Sequence, residues 1–133
     1  MDAPASRWPR AGRRSSAAGP GALSLQDEKM KTLRDYEGRA IRLTDERLAH
    51  ILEHPEMQGM EDRIAETLLR PERVMESLSD PMARLYYRMY VATRVGDKHL
   101  CVVVKMADND AFVLTAYLMT NPARGRQLWP KRS

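Results

Sequence analysis

The sequence predicts an α+β fold in which two N-terminal helices pack on a roughly four-stranded antiparallel sheet. Between about residues 44 and 70, apolar side chains recur every three or four positions, as on one face of a helix. From about residue 73 they recur at every second position, in segments rich in Val, Tyr and Thr, as strands require. Proline and short clusters of Gly, Asp and Asn separate these segments, and such clusters form turns.

The first 29 residues are predicted to be a disordered leader, because they are rich in Ala, Gly, Pro, Ser and Arg and show no apolar periodicity. We extend this leader to residue 36 and assign residues 37–133 to one folded domain, the number that a chain of 133 residues supports. Met30 is an alternative start of the chain.

Two helices are predicted after a short extended segment at residues 40–43. Thr44 is a good N-cap, and acidic residues follow it, which suits the positive end of a helix. The apolar stripe of this first helix stops at Pro55. The second helix is expected roughly from residue 60 to 69, and Pro71 ends it.

The sheet is expected to consist of four strands, the first of them weak, at residues 73–77, 85–93, 100–106 and 111–120. Gly96-Asp97 and Asp108-Asn109-Asp110 have the composition of the turns that join the last three strands. Residues 127–129 are a candidate for a short final pairing.

The turns also predict a register. A two-residue turn at Gly96-Asp97 places Arg88 opposite Lys105, and a three-residue loop at 108–110 places Val103 opposite Thr115. The helices should then cover the face of Leu85, Tyr87, Met89, Val91, Val102, Val104, Phe112, Leu114, Ala116 and Leu118. The other face should carry Tyr86, Arg88, Tyr90, Cys101, Val103, Lys105, Val113, Thr115 and Tyr117.

The second face is a candidate phosphate-binding surface. Two like charges directly opposite each other, as predicted for Arg88 and Lys105, destabilise a sheet unless an anion lies between them. Thr115 and Tyr117 would add hydroxyl donors, and the rings of two further tyrosines, Tyr86 and Tyr90, would stack on bases. The alternative is an ordinary solvated face, on which the two cations pair with carboxylates from a loop.

The segment His50-Ile51-Leu52-Glu53-His54 matches the zinc-binding pattern H-x-x-E-H, but Pro55 follows at once and no third ligand is identifiable. We therefore predict no metal site and treat a zinc hydrolase as the least favoured alternative. His54 is a candidate phosphate ligand or acid/base group. A charge at the end of a helix is the alternative role of His54, and His50 is expected to be a partly buried helix residue.

Composition excludes several classes. The longest uninterrupted apolar run has five residues, at 100–104, far fewer than the ~20 of a membrane span. One cysteine, Cys101, allows no disulfide within the chain, which favours a reducing, cytoplasmic setting, and it should be an inert buried thiol. Residues 1–29 carry a net charge of +2 and residues 123–133 of +4, so the body has −2 and global charge is weak evidence for nucleic-acid binding.

Several short motifs together resemble a phage-associated branch of the barnase–EndoU–colicin–RelE-like nucleases. They span residues ~39 to 130 and comprise Ile41-Arg42-Leu43-Thr44 with Arg47, His50-Ile51, His54-Pro55-Glu56-Met57, Pro71 with Val74, Tyr86-Tyr87-Arg88, residues 100–105, Thr115-Ala116-Tyr117 and Leu128-Trp129. The resemblance implies N-terminal helices on a four-stranded antiparallel sheet and metal-independent RNA cleavage on the open face. The positions that match the branch are His54, Arg88, Lys105, Thr115 and Tyr117 and, less securely, Trp129, which would stack on a base or anchor the C-terminus.

The sequence therefore predicts a metal-independent ribonuclease of the toxin or phage-effector type, without a cofactor. A 2′-hydroxyl would attack the adjacent phosphate, Arg88 and Lys105 would stabilise the developing charge, and His54 or Tyr117 would move protons. The expected partners are RNA and an antitoxin or immunity protein. The alternative is a non-catalytic RNA- or protein-binding module of the same fold.

Overall fold

A computed structural model describes residues 30–131; the disorder predicted for residues 1–29 lies outside this range. Its elements in chain order are β1 (Met30–Arg34), β2 (Ala40–Thr44), α1 (Asp45–Leu52), a 3₁₀ turn (Pro55–Met57), α2 (Glu61–Leu69), β3 (Arg73–Glu76), β4 (Ala83–Thr93), β5 (Gly96–Ala107), β6 (Asp110–Met119) and β7 (Arg126–Trp129). Within this part of the chain, no helix is long and apolar enough to cross a membrane.

The predicted fold class is wrong. The described residues form one mixed sheet of seven strands in the order β1-β2-β6-β5-β4-β3-β7, and the two helices follow the first two strands instead of preceding the sheet. Strand β2 runs parallel to β6 with Arg42 beside Phe112, whereas β3 to β7 pair antiparallel. The error arose at the ends of the domain, because β1 lies in the range assigned to the leader and shows no apolar alternation.

The helix predictions are confirmed. The Thr44 side chain accepts a hydrogen bond from the backbone N–H of Arg47 at 3.0 Å and so caps α1, whose first turn carries Asp45 and Glu46. Helix α2 ends at Leu69, before Pro71. Each helix buries one apolar stripe, which includes Leu48 and Ile51 of α1 and Ile64 and Leu68 of α2.

Both faces of the sheet hold buried side chains. The face that the helices cover forms the main core, with Ile41, Val74, Tyr86, Tyr90, Leu100, Val102, Val104, Val113 and Ala116. The opposite face, which we call the open face, has a smaller buried cluster of Met75, Leu85, Tyr87 and Cys101. Patterning on β4 is therefore ambiguous, because Tyr86 and Tyr87 are both fully buried on opposite faces.

The turn between β1 and β2 closes one end of the main core. Asp35 is 1% exposed and accepts hydrogen bonds from the Tyr86 hydroxyl at 2.8 Å, the Arg39 guanidinium at 2.9 Å and the backbone N–H groups of Glu37 and Arg39 at 2.9 Å. The Tyr36 ring packs against Trp129 of β7 with centroids 5.2 Å apart. A buried carboxylate with four donors thus ties the first hairpin to β4.

The predicted register between β4 and β5 is wrong. Arg88 pairs with Leu100 and Lys105 pairs with Ala83, so the two cations lie on opposite faces and far apart along the strands. The two-residue turn is at 94–95, where Thr93 faces Gly96, and a bulge follows at Ala92, whose φ is +57°. These changes move every β4 side chain to the face opposite the predicted one.

The predicted register between β5 and β6 is correct over one half. Val103 faces Thr115 and Cys101 faces Tyr117, as predicted. Beyond Val103, an extra residue in β6 shifts the pairing, and a two-residue loop at 108–109 brings Phe112 opposite Lys105. The bulge restores the apolar pattern that a straight strand with this loop would break.

Candidate functional site

The open face carries three of the side chains that the sequence analysis selected, Lys105, Thr115 and Tyr117. Alternation along β4, β5 and β6 assigns to this face Met75, Leu85, Tyr87, Met89, His99, Cys101, Val103, Lys105, Phe112, Thr115, Tyr117 and Met119. One row of this surface joins Arg73, Tyr87, Cys101 and Tyr117 across four neighbouring strands. Neither helix covers this face, because both pack on the main core on the other side.

A connection of six residues, which we call the strap (residues 120–125), crosses the open face from β6 to β7. The Thr120 carbonyl lies 3.0 Å from His99 Nδ1, and the Tyr87 hydroxyl accepts a hydrogen bond from the Ala123 N–H at 3.0 Å. At Gly125 the strap passes so close to β3 that a Cβ would meet the Glu76 carbonyl oxygen at 2.5 Å. The strap therefore covers the side of the open face nearest β3 and β4, and leaves the surface of β5 and β6 accessible.

Lys105 lies on the open face and forms an ion pair with Asp80 from the loop before β4. The hydrogen bond from Lys105 holds the pKa of the Asp80 carboxyl below its ordinary value. About a third of each side chain is exposed, so solvent screens the pair and its contribution to stability is small. Lys105 can thus exchange Asp80 for another anion at little cost.

Thr115 and Tyr117 follow each other along the open face of β6. Tyr117 is 39% exposed, and its hydroxyl interacts with the thiol of Cys101 on the neighbouring strand. Burial of the hydroxyl raises the pKa of Tyr117 to about 12, so it keeps its proton at neutral pH. Burial also raises the pKa of Cys101 to about 11, and Cys101 is fully buried on the central strand, as predicted for an inert thiol.

Arg88 lies on the face that the helices cover. Its guanidinium donates a hydrogen bond at 2.7 Å to the carbonyl of Arg70, the residue that caps the C-terminal end of α2. A cation at this position satisfies a carbonyl that the helix leaves free and complements the helix dipole. In this structure Arg88 supports α2 and does not share a surface with Lys105, which corrects the predicted pair.

The three aromatic residues predicted to bind substrate also pack in or against the main core. Tyr86 is fully buried, and burial raises its pKa well above the ordinary value. Tyr90 is 7% exposed, and its hydroxyl donates to the Glu66 carboxylate at 2.8 Å. Trp129 is half-buried against this core and contacts Tyr36. Tyr86 and Tyr90 occupy core positions because β4 is turned over relative to the predicted register. Trp129 is on β7 beside Val74 of the main core, so none of the three lies on the open face.

His50 and His54 belong to the helical layer. His50 is in the last turn of α1 and lies 3.7 Å from the Glu53 carboxylate, and its side chain is 64% exposed, so the expected partial burial is wrong. His54 is the exposed N-cap of the 3₁₀ turn and makes no side-chain capping bond there. Across residues 30–131, no three His, Cys, Asp or Glu side chains come together as a metal site would require.

His99 is a functional candidate that the sequence analysis missed. It lies on the open face of β5, half-buried, and pairs with Met119. Together with Tyr117, Thr115 and Lys105 it forms a line along β5 and β6 that we call the polar strip. The signal was its position two residues before Cys101 in an alternating strand, which places the two side chains on the same face.

A separate groove of about 450 Å³ lies between the first hairpin and the turn that joins β5 to β6. Its two arginines, Arg39 and Arg42, are held by the carboxylates of Asp35 and Asp110. The groove is lined by none of the residues predicted for catalysis or substrate binding, so the polar strip is the stronger candidate site.

Comparison with protein-family models, curated proteins and solved structures finds no significant match to this chain.

Proposed function

We propose that this chain is a ribonuclease that cleaves RNA without a metal ion along its polar strip. The observation that carries the proposal is the common location of Lys105, Thr115 and Tyr117 on the accessible part of the open face. These are three of the six positions that match the nuclease branch. They support a site on this face although the other three, Arg88, His54 and Trp129, lie elsewhere.

The reaction needs one proton removed and one supplied. The 2′-oxygen forms a bond to phosphorus as its proton leaves, and the bond from phosphorus to the 5′-oxygen breaks as that oxygen gains a proton. The products are a 2′,3′-cyclic phosphate and a free 5′-hydroxyl. DNA lacks the 2′-hydroxyl, so the chemistry itself selects RNA.

Each residue of the strip has a role that its position supports. Tyr117 stays protonated at neutral pH and can donate its proton to the leaving 5′-oxygen, as a general acid does. The Thr115 hydroxyl, the next side chain along this face, can donate a hydrogen bond to the phosphate that reacts. Lys105 lies four residues beyond Cys101 on β5, roughly 13 Å away, and would bind the phosphate of a neighbouring nucleotide.

A non-catalytic RNA- or protein-binding module is the second candidate. The location of Arg88 favours it, because the open face then lacks one of the two cations that the predicted reaction used to stabilise the developing charge. RNA binding without cleavage would support this candidate.

The proposal of a ribonuclease also includes a cytoplasmic setting and an antitoxin or immunity protein that covers the polar strip.

Replacement of Lys105 by Ala should raise KM for RNA several-fold and leave kcat nearly unchanged, because a neighbouring phosphate loses its cation. The slope of log KM against log salt concentration should fall by about 0.7, the value for one phosphate contact on a single strand. Initial rates of cleavage of an oligoribonucleotide in EDTA, measured at several salt concentrations, test this expectation.

Two other cations provide controls for Lys105. Lys31 forms a similar surface ion pair with Glu61 of α2, on the helical side, and Lys31→Ala should leave KM and its salt slope unchanged. Arg88→Ala should lower stability by about 1 kcal/mol through loss of its hydrogen bond to Arg70, without a change in KM. Equal effects of all three substitutions would mean that RNA binds through overall charge, and the proposed site would be wrong.

A further inference from the structure

The proposed reaction needs a base for the 2′-hydroxyl, and the polar strip contains one histidine. His99 pairs with Met119, and Tyr117 is two residues before Met119 on β6. His99 and Tyr117 are therefore diagonal neighbours on one face, a relation in which side chains lie roughly 7–8 Å apart and long ones meet. Tyr117 is directly opposite Cys101, two residues after His99 on β5, so its side chain lies beside the strand that carries His99.

The strap orients the His99 ring. Nδ1 lies 3.0 Å from the carbonyl oxygen of Thr120, and a carbonyl can only accept a hydrogen bond. Nδ1 therefore carries the proton in the neutral ring, and Nε2 is left as an acceptor. A histidine whose tautomer is set by a bond at one nitrogen is prepared to take a proton at the other.

The groups that surround His99 come from three neighbouring strands and from the strap. On its own strand it adjoins Lys98 and Cys101, and the Lys98 ammonium is bonded to the Thr120 hydroxyl at 3.0 Å. Apolar Met89 of β4 and Met119 of β6 pair with it on either side. Tyr117 and Cys101 keep their protons at neutral pH because burial raises the pKa of each. Lys98 is the charged group among these neighbours, and its ammonium is held by the strap.

We infer that His99 is the general base of the proposed ribonuclease, with Nε2 taking the proton of the attacking 2′-hydroxyl and the Thr120 carbonyl as a positioning group. The inference rests on the proposed function and replaces His54, which lies in the helical layer, in the role of base. Tyr117, on the neighbouring strand, supplies the second proton to the 5′-oxygen. One side chain then accepts a proton and its diagonal neighbour on the same surface donates one.

The chain has three histidines, so single substitutions can compare them all. His99→Asn keeps an N–H donor for the Thr120 carbonyl but has no basic nitrogen in place of Nε2. We expect it to lower kcat by about 10²-fold or more and to abolish the fall in rate at acid pH where imidazoles become protonated. His50→Gln should retain the rate and pH profile of the unmodified chain, and His54→Gln decides between the two candidate bases.

Binding to the unmodified full chain gives a second readout that does not depend on whether a variant folds. Addition of a nucleoside 3′-monophosphate should shift the imidazole NMR signals of His99 and leave those of His50 and His54 in place. Melting temperatures of the three variants separate loss of folding from loss of chemistry.

The outcomes show separately whether His99 is the general base and whether the chain cleaves RNA at all. If His99→Asn cleaves RNA at the normal rate with the acid limb intact, the role of His99 is overturned and the ribonuclease stands. If the fall in rate at acid pH disappears in His54→Gln instead, His54 is the base and the role of His99 is overturned. If the unmodified chain cleaves no RNA in EDTA, the proposed function fails, and the role of His99 fails with it.

Discussion

Replacing Tyr117 with Phe is expected to slow RNA cleavage by about 10²-fold or more, with little change in stability. In the proposed reaction the hydroxyl donates its proton to the leaving oxygen, and it holds that proton at neutral pH because burial raises the pKa of Tyr117 to about 12. Phe keeps the ring, and with it the packing on β6. Initial rates on one oligoribonucleotide and thermal melts of both proteins provide the measurement.

Tyr90→Phe is the matched control, because it removes a tyrosine hydroxyl from the opposite face. That hydroxyl donates to Glu66, so its loss should lower stability by about 1 kcal/mol. The rate of cleavage should not change. Equal loss of activity in both variants would contradict the location of the site on the open face.

Asp35→Ala is expected to lower the free energy of unfolding by about 3 kcal/mol or more, since removal of one partner from a buried charged network leaves the others unsatisfied. Tyr86 and Arg39 both lose their hydrogen-bond acceptor, and two backbone N–H groups in the first turn lose theirs. Urea denaturation followed by circular dichroism gives the difference.

Glu37→Ala is the control for this prediction. Glu37 is in the same turn and pairs with Arg39 and Arg84, but its side chain is 48% exposed. Exposed pairs contribute about 0–1 kcal/mol, so this substitution should change stability by less than that of Asp35. If the two variants are equally stable, the buried network does not tie the first hairpin to the core.

Local signals were sufficient for the helices and for the positions of most strands. Thr44 caps α1 and Pro71 follows α2, because caps and prolines act within a few residues of themselves. Strand β1 gave no such signal, since its position depends on Asp35 and Tyr36 contacting residues distant in the sequence. The parallel pairing of β2 with β6 is likewise a tertiary contact that no local pattern encodes.

Register was predictable only where one face alone is apolar. On β6, the alternation around Thr115 and Tyr117 located them correctly opposite β5. On β4, both faces are buried, and the turn falls at 94–95 instead of at Gly96. The Asp97 carboxylate stabilises the bulge through a bond to the Ala92 N–H at 2.8 Å, an interaction that the sequence does not reveal.

The accuracy of the predicted register also determined which candidate site residues were correctly placed on one surface. Lys105, Thr115 and Tyr117 lie together on the open face, because the alternation of β5 and β6 was predicted correctly for them. Arg88 lies on the face that the helices cover, because the register of β4 differs from the predicted one. His99 was missed because its proposed role depends on the strap, whose path over the open face is set by tertiary contacts.

The central claim is that the open face cleaves RNA through the 2′-hydroxyl. The most direct measurement compares the full chain on one oligoribonucleotide and on the same sequence with deoxyribose throughout, in EDTA. We predict cleavage of the ribose strand alone, with 2′,3′-cyclic phosphate ends. Absence of cleavage, or equal cleavage of the deoxyribose strand, would contradict the proposal.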